Sequence, residues 1–255
     1  MRMMGTHDAA SQLFDSHVHV GHFRDDLYFS PERVVAEMNA LAVARFAVSS
    51  TSASVHPFET CRTEIERVLE LSDGRAVPLL WITPDMLRIS RDLSAFFVLP
   101  FKGLKIHGLN GWEPEGRELR QVFAVAAERR LPVLLHTGMH PCCEAGCYAP
   151  LCEEFPSVSV ILAHGRPLGA AMEIVRKFPN TFVDTAFMPS RDIAILWGAG
   201  MGEKILFGTD FPINTAFYRS SPRAWYRRQA RRVLGLDGFA EASNSNFARI
   251  YGAEA

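Results

Sequence analysis

Residues 13–26, LFDSHVHVGHFRDD, carry the reading that decides the fold. The stretch from Leu13 to Val20 is apolar enough for a buried strand, yet His17 and His19 interrupt it two positions apart. Side chains of a strand alternate between its faces, so residues i and i+2 share one. Both imidazoles therefore enter the same side of the sheet. Neutral imidazole is a ligand of zinc, iron and manganese, although a lone H-x-H pair is equally compatible with polar core structure. The turn after the strand matters as much. A doubly wound sheet that binds a dinucleotide passes through a glycine-rich loop there, and HVHVGHFRDD supplies only Gly21.

Seven further β-rich runs come after the first at 14–20: 45–51, 76–82, 103–108, 132–138, 158–165, 181–186 and 204–210. Several are nearly continuous apolar stretches, as expected of parallel strands covered on both faces. Helical patterns lie between most of them. Ser30-Pro31 offers an N-cap and a proline at the first helical position. Over 115–130, Leu119, Val122, Phe123, Ala126 and Ala127 form one apolar stripe. A second stripe joins Leu168, Ala171, Met172 and Val175, whereas 85–98 patterns weakly. Eight alternations in 255 residues predict an α/β protein, a single-domain (β/α)8 TIM barrel over 1–255 with an N-terminal extension at 1–12.

Composition narrows the function classes. Hydrophobic residues make up 48%, enough for a full core, and the net charge of −1 argues against a chain-wide polyanion partner. No apolar run approaches the length of a membrane span, and MRMMGTHDAA lacks the apolar stretch of a secretory signal, so a cytoplasmic protein without membrane attachment is expected. Four of the five cysteines crowd into PCCEAGCYAPLC, as Cys142, Cys143, Cys147 and Cys152. Their spacing is not that of a zinc ribbon, so they read as reduced thiols, with a structural metal as the lesser alternative and His140 as a neighbour. Cys61 reads as packing. Arg219, Arg223, Arg227, Arg228, Arg231 and Arg232 in 218–235 read as a solvated helix face, or as a handle for an anionic substrate. Nucleic acid is not expected, a small-molecule substrate is, and homo-oligomer formation is left open.

In a barrel the active site lies at the C-terminal ends of the strands. Those ends carry His17 and His19, Lys105 and His107, His136, His164 and Asp210. Their convergence on one mouth turns the weak H-x-H signal into a metal site. Asp184, on the same strand face as Phe182, either hydrogen-bonds a ligand histidine or ends its strand. Arg166 is placed to clamp a substrate carboxylate, or to pair at the surface. Trp112 in GLNGWEPEG is a candidate pocket wall, or part of a plain loop. His22, Arg24 and His56 come after strands one and two and read best as loop residues.

The ordered motifs DSHVHVG, GLKIHG, PVLLHTG, ILAHGRP and ILFGTDFP, with SNSNFARIYG at the end, closely resemble the amidohydrolase superfamily over residues 13–252. Within it they look like the branch that also holds metal-dependent decarboxylases and lactonases. The resemblance implies that His17 and His19 bind a divalent metal and that His136 is its third ligand or a bridge to a second site. It implies that His164 binds a second metal or orients water or substrate, and that Asp210 binds metal and shuttles protons. Zinc is the first choice, with manganese or iron(II) as alternatives. One ion is preferred over two, which would need a carboxylated Lys105. His107, Arg166 and Trp112 would contact substrate. The expected activity is hydrolysis of a small amide, ester or lactone by metal-activated water, with Asp210 as general acid/base. The first alternative is decarboxylation of a carboxylated aromatic. A TatD-like nuclease is the next, disfavoured because that group usually carries an acid where this chain has Lys105. A barrel that has lost its chemistry is disfavoured because all five expected ligands are present.

Overall fold

The computed structural model describes residues 13–252 apart from 25, 91 and 218–220. The N-terminal extension at 1–12 and Arg219 lie outside the described residues. Nine strands form one sheet: β1 (Asp15–Arg24), β2 (Leu27–Phe29), β3 (Phe46–Ser50), β4 (Ala76–Trp81), β5 (Gly103–Ile106), β6 (Val133–His136), β7 (Val160–Ala163), β8 (Thr181–Asp184) and β9 (Ile205–Leu206). From β1 and β3 through β9 every neighbour is parallel, in chain order. The curled sheet meets itself through the segment after β9. Ser16 N–H donates to Phe207 O at 2.9 Å, Asp210 N–H to His17 O at 2.8 Å and His19 N–H to Phe211 O at 2.7 Å. The α/β barrel expected from the alternation is the fold observed.

The described helices are α1 (Pro31–Ala40), α2 (Phe58–Leu71), α3 (Pro84–Ile89), α4 (Arg117–Arg129), α5 (Ala149–Glu154), α6 (Leu168–Lys177), α7 (Ser190–Gly198), α8 (Asn214–Phe217), α9 (Pro222–Leu234) and α10 (Phe239–Tyr251). Ser30 caps α1 by accepting from Arg33 N–H, with Pro31 at its first position, as read from the sequence. The weak pattern at 85–98 resolves into short α3 and a 3-10 turn at Leu93–Phe96. The antiparallel β2, paired with the outer end of β1, has no counterpart among the strands expected from the sequence. Its three residues are too few to show a period. No described helix is long and apolar enough to cross a membrane.

Two apolar layers result from the alternation of strand residues. Outward residues such as Val48, Leu80, Leu104, Leu135, Leu162 and Val183 pack with the helices, among them Leu119, Val122 and Phe123 of α4. Inward residues Ala47, Val77, Leu79, Leu134, Ile161, Ala163, Phe182 and Leu206 form a second cluster with Phe247, Ile250 and Tyr251 of α10. Four inward rows then turn polar toward their C-terminal ends: Ala47 gives way to Ser49, Gly103 to Lys105, Leu134 to His136 and Phe182 to Asp184. The site is therefore the polar continuation of the inner core. Gly21 allows a close approach beside it. Its φ is +96°, and a β-carbon there would lie 2.6 Å from both Glu64 Oε2 and Ser52 Oγ.

Phe123 is fully buried in α4, so Phe123→Ala should cost about 3–5 kcal/mol in urea unfolding. A loss below about 1 kcal/mol would mean that α4 does not pack as described.

Candidate active site

At the C-terminal mouth a pocket of about 490 Å³ is lined by His17, His19, Lys105, His107, His136, His164, Arg166 and Asp210. The sequence had named all eight. Apolar walls come from Phe23, Trp81, Leu109, Met139, Phe187, Ile213 and Phe217.

The fixed hydrogen-bond partners decide where each ring carries its proton. A backbone carbonyl can only accept, so a ring nitrogen facing one must donate. His164 Nδ1 lies 2.9 Å from Ala186 O, and His19 Nδ1 lies 3.4 Å from Ser49 O with Ser49 Oγ at 3.0 Å. His164 is therefore protonated at Nδ1, and a proton held at His19 Nδ1 by Ser49 leaves its Nε2 free to ligate a cation. His17 Nδ1 faces Asp184 Oδ2 at 2.8 Å and donates to that carboxylate. His164 Nε2, left with a lone pair, accepts from His136 Nδ1 at 3.1 Å. The remaining lone pairs are at Nε2 of His17, His19 and His136, and the last of these is buried without a partner.

Burial keeps these rings neutral. It pulls His17 and His19 below the ordinary histidine range, His164 to about 4, His107 to about 3, and His136 further still, with nearby cations adding to the effect. Asp210 goes the other way. Burial opposes its charge, but positive charge on His17, a hydrogen bond from His19 and positive charge on His19 and His164, when those rings are protonated, outweigh that and hold its carboxyl well below the carboxylate range. His19 Nε2 is 3.0 Å from Asp210 Oδ1, and His17 Nε2 is 3.6 Å from it. Asp210 Oδ1 is itself buried without a hydrogen bond. Two imidazole lone pairs and a carboxylate oxygen facing one another are the donor set a divalent cation requires. These three atoms lie within 4.8 Å of one another, so the residues present fit a metal ion. His17, His164 and Asp184 form a second group at that spacing, but both Asp184 oxygens are already engaged. Oδ2 accepts from His17, and Oδ1 accepts from the N–H groups of His164 and Ala186, both at 2.9 Å.

Lys105 Nζ is 3.2 Å from His17 Nε2, and burial lowers its ammonium to about 8 against the pull of Asp210 and Asp184. Four lining residues have a left-handed backbone, Met139 and Phe187 in the walls and His164 and Asp210 in the polar floor. His164 has φ +70° and Asp210 +58°, a region costing about 1–3 kcal/mol for residues other than glycine. Hydrogen bonds from their own N–H groups to Asp184 Oδ1 and His17 O hold them there. Asp15, fully buried, ties β1 to this segment. It accepts from His17 N–H at 3.0 Å and from Thr209 N–H and Oγ1 at 3.1 and 2.6 Å. Burial raises its carboxyl to about 7 against those bonds.

One expectation needs correction, and the remaining described loop and helix candidates keep clear of the pocket. Trp112 does not line the pocket. It is packed in the core, immediately after the left-handed Gly111, φ +94°. The indole at the pocket is Trp81, the inward residue two beyond Leu79, which strand parity alone would have indicated. His22 and His56 pair with each other, ring centres 4.4 Å apart, and His56 lines a neighbouring pocket. Arg24 pairs with Asp26 at 3.2 Å. The four clustered cysteines do not surround one ion. Cys152 is in the core, Cys147 Sγ donates to Pro141 O, and only Cys142 and Cys143 bring their sulfurs together. On α9, Arg223 pairs with Glu37, Arg231 bonds Arg227 O and Arg232 bonds Gln229. None of the described arginines of that run lines the pocket.

A parallel barrel with a histidine–aspartate cluster in its C-terminal mouth defines the class of protein. The amidohydrolase family model matches residues 14–252, and the chain belongs to that family. No curated protein matches the sequence. Among solved structures, a probable 2-pyrone-4,6-dicarboxylic acid hydrolase from Acinetobacter baumannii with citric acid bound aligns at TM-score 0.66 and 13% identity, over 94% of this chain and 99% of that one. An amidohydrolase from Burkholderia multivorans with bound zinc aligns at 0.65 and 12%, over 94% and 99%. A 2,6-dihydroxybenzoate decarboxylase from Rhizobium aligns at 0.60 and 13%, over 95% and 98%.

Zinc binding measured by equilibrium dialysis should be lost in His19→Ala. It should weaken about 10- to 100-fold in Asp184→Asn, which disturbs the acceptor behind His17. Unchanged affinity in the second variant would remove Asp184 from that role.

Proposed function

We propose that this protein is a metal-dependent hydrolase of a small amide, ester or lactone. The observation that carries the reading is the set of donor atoms, His17 Nε2, His19 Nε2 and Asp210 Oδ1, facing one another in the pocket. These residues would hold the ion, zinc in the first instance, and His136 with its unpartnered Nε2 is the further candidate ligand. An ion bound there would make a water more acidic and polarise a carbonyl.

The chain's own groups supply the rest. Asp210, ionised and beside the ligand nitrogens, accepts the proton of the attacking water and returns it to the leaving oxygen or nitrogen. His107 Nδ1 accepts from Leu109 N–H at 3.3 Å, which leaves Nε2–H as a donor toward the developing oxyanion. A ring held neutral to about 3 gives that hydrogen bond across the working pH range. Arg166 uses one guanidinium nitrogen on Phe187 O, at 2.8 Å, and keeps the others for a substrate carboxylate. The aligned hydrolase from Acinetobacter is named for a pyrone, which is a cyclic ester, and supports a lactone-like substrate.

A second reading rests on the walls. Trp81, His107 and His136 stack face to face, with centre separations of 5.9 and 3.8 Å and interplanar angles of 3° and 17°. Phe187 and Phe217, 6.3 Å apart, line the same pocket. A planar aromatic acid suits such a slot, with Arg166 on its carboxylate, and the aligned Rhizobium enzyme is a decarboxylase named for one. Loss of carbon dioxide from that acid would then be the reaction. A nuclease is not supported, because Lys105 and Arg166 are the two fixed cations among the described lining residues and make no basic track for a phosphate backbone.

Zinc-loaded protein given a panel of lactones, esters and amides should release acid. Release of carbon dioxide from hydroxybenzoates without acid release from that panel would establish the second reading instead. On the active substrate, Asp210→Asn should lower kcat at least about 100-fold while zinc remains bound. Undiminished turnover would remove Asp210 from proton transfer.

A further inference from the structure

The loop after β6 holds two adjacent cysteines whose sulfurs face each other. Cys142 Sγ and Cys143 Sγ are 3.6 Å apart. Neighbouring side chains in an extended segment would diverge, but here the chain is folded back on itself. Cys143 N–H donates to His140 O at 2.9 Å, and Gly138 N–H donates to Cys143 O at 2.7 Å. Cys143 is fully buried and packs against Gly108, where a β-carbon would collide with its sulfur. Cys142 is half-buried, and His140 Nδ1, which accepts from Cys142 N–H at 3.3 Å, also lies 3.0 Å from its sulfur, beside the thiol proton.

The spacing separates two uses of such a pair. A disulfide needs α-carbons at least about 4.4 Å apart in ordinary geometry, and adjacent residues are held at about 3.8 Å. A chelated ion has no such conflict. With metal–sulfur bonds of about 2.3 Å, sulfurs separated by 3.6 Å subtend roughly 100° at the ion, close to the tetrahedral value. The two thiols are set apart for bridging and are too constrained for joining.

We propose that Cys142 and Cys143 form a chelating dithiol, a binding site for a soft, thiophilic ion at the edge of the barrel mouth. Binding forms two sulfur–ion bonds and releases two thiol protons, with no change of oxidation state. His140 takes the first proton, from Cys142. Burial raises the Cys143 thiol to about 12, so its proton leaves only as the second bond forms. The site uses none of the residues assigned to catalysis, and its test does not depend on the hydrolase reading.

Phenylarsine oxide probes the pair directly. Its arsenic–oxygen bond is replaced by two arsenic–sulfur bonds, and the oxygen leaves as water with both thiol protons. Intact mass spectrometry of the reduced full-length protein should show one adduct per chain, removed by an added dithiol and blocked by prior cadmium. Cys142→Ala and Cys143→Ala should each lose the adduct, whereas Cys61→Ala and Cys147→Ala should keep it. Because Cys143→Ala disturbs packing on Gly108, fragmentation of the wild-type adduct gives a second reading, with both bonds expected at 142 and 143. Absence of the adduct, its persistence in either single variant, its formation despite cadmium, or its mapping to Cys147 or Cys152 would overturn the proposal.

Discussion

The mouth of this barrel depends on one buried acceptor, the carboxylate of Asp184. It receives His17 Nδ1 from β1, the backbone N–H of His164 from beyond β7 and that of Ala186 from beyond its own strand. Burial alone would protonate it, but these partners hold it below the ordinary carboxylate range, His17 foremost. One ionised group thus fixes a ring tautomer, supports a residue in the left-handed region and joins three segments of the wall. A buried carboxylate without such partners would be costly, so the constraint runs both ways. The strands must bring the donors, and the donors justify the charge.

That tautomer sets the rest of the site. With His17 protonated at Nδ1, its Nε2 lone pair must face inward, toward Asp210 and Lys105. The carbonyl behind His164 imposes the same choice on that ring, which passes it to His136, and Ser49 stands behind His19 Nδ1 to receive the same proton. Burial then keeps the rings neutral, so lone pairs accumulate around one ionised carboxylate oxygen. Such an arrangement is stabilised by a cation. The left-handed conformations of His164 and Asp210 are the cost of aiming both side chains at that point.

The apolar walls shape what can reach this floor. Trp81, His107 and His136 lie in nearly parallel planes, and Phe187 and Phe217 line the pocket with them, so the walls are of low polarity above a strongly polar floor. In such surroundings hydrogen bonds and charges act with little screening. A flat substrate would present its carbonyl or carboxylate to the floor and leave its ring between the walls.

How much of this was legible in the chain depends on whether a feature is periodic. The eight strand segments, the ordered histidines and Asp210 could be read because alternation along a strand is a local property and the C-terminal ends of barrel strands converge by geometry. Trp81 obeyed the same parity but lay in a run that reads as uniformly apolar. Trp112, set in a glycine-rich loop, attracted attention that its position in the core did not support. The crowding of four cysteines was visible, yet which two sulfurs meet was not, since a loop's path has no period. What the amino-acid sequence by itself determined was the architecture and the list of chemistry-bearing residues. Only the tertiary structure decided which acceptors stand behind the imidazoles, that Asp184 is the one behind His17, and which indole faces the pocket. Those outcomes rest on contacts between residues far apart in the chain, and local pattern carries no information about them.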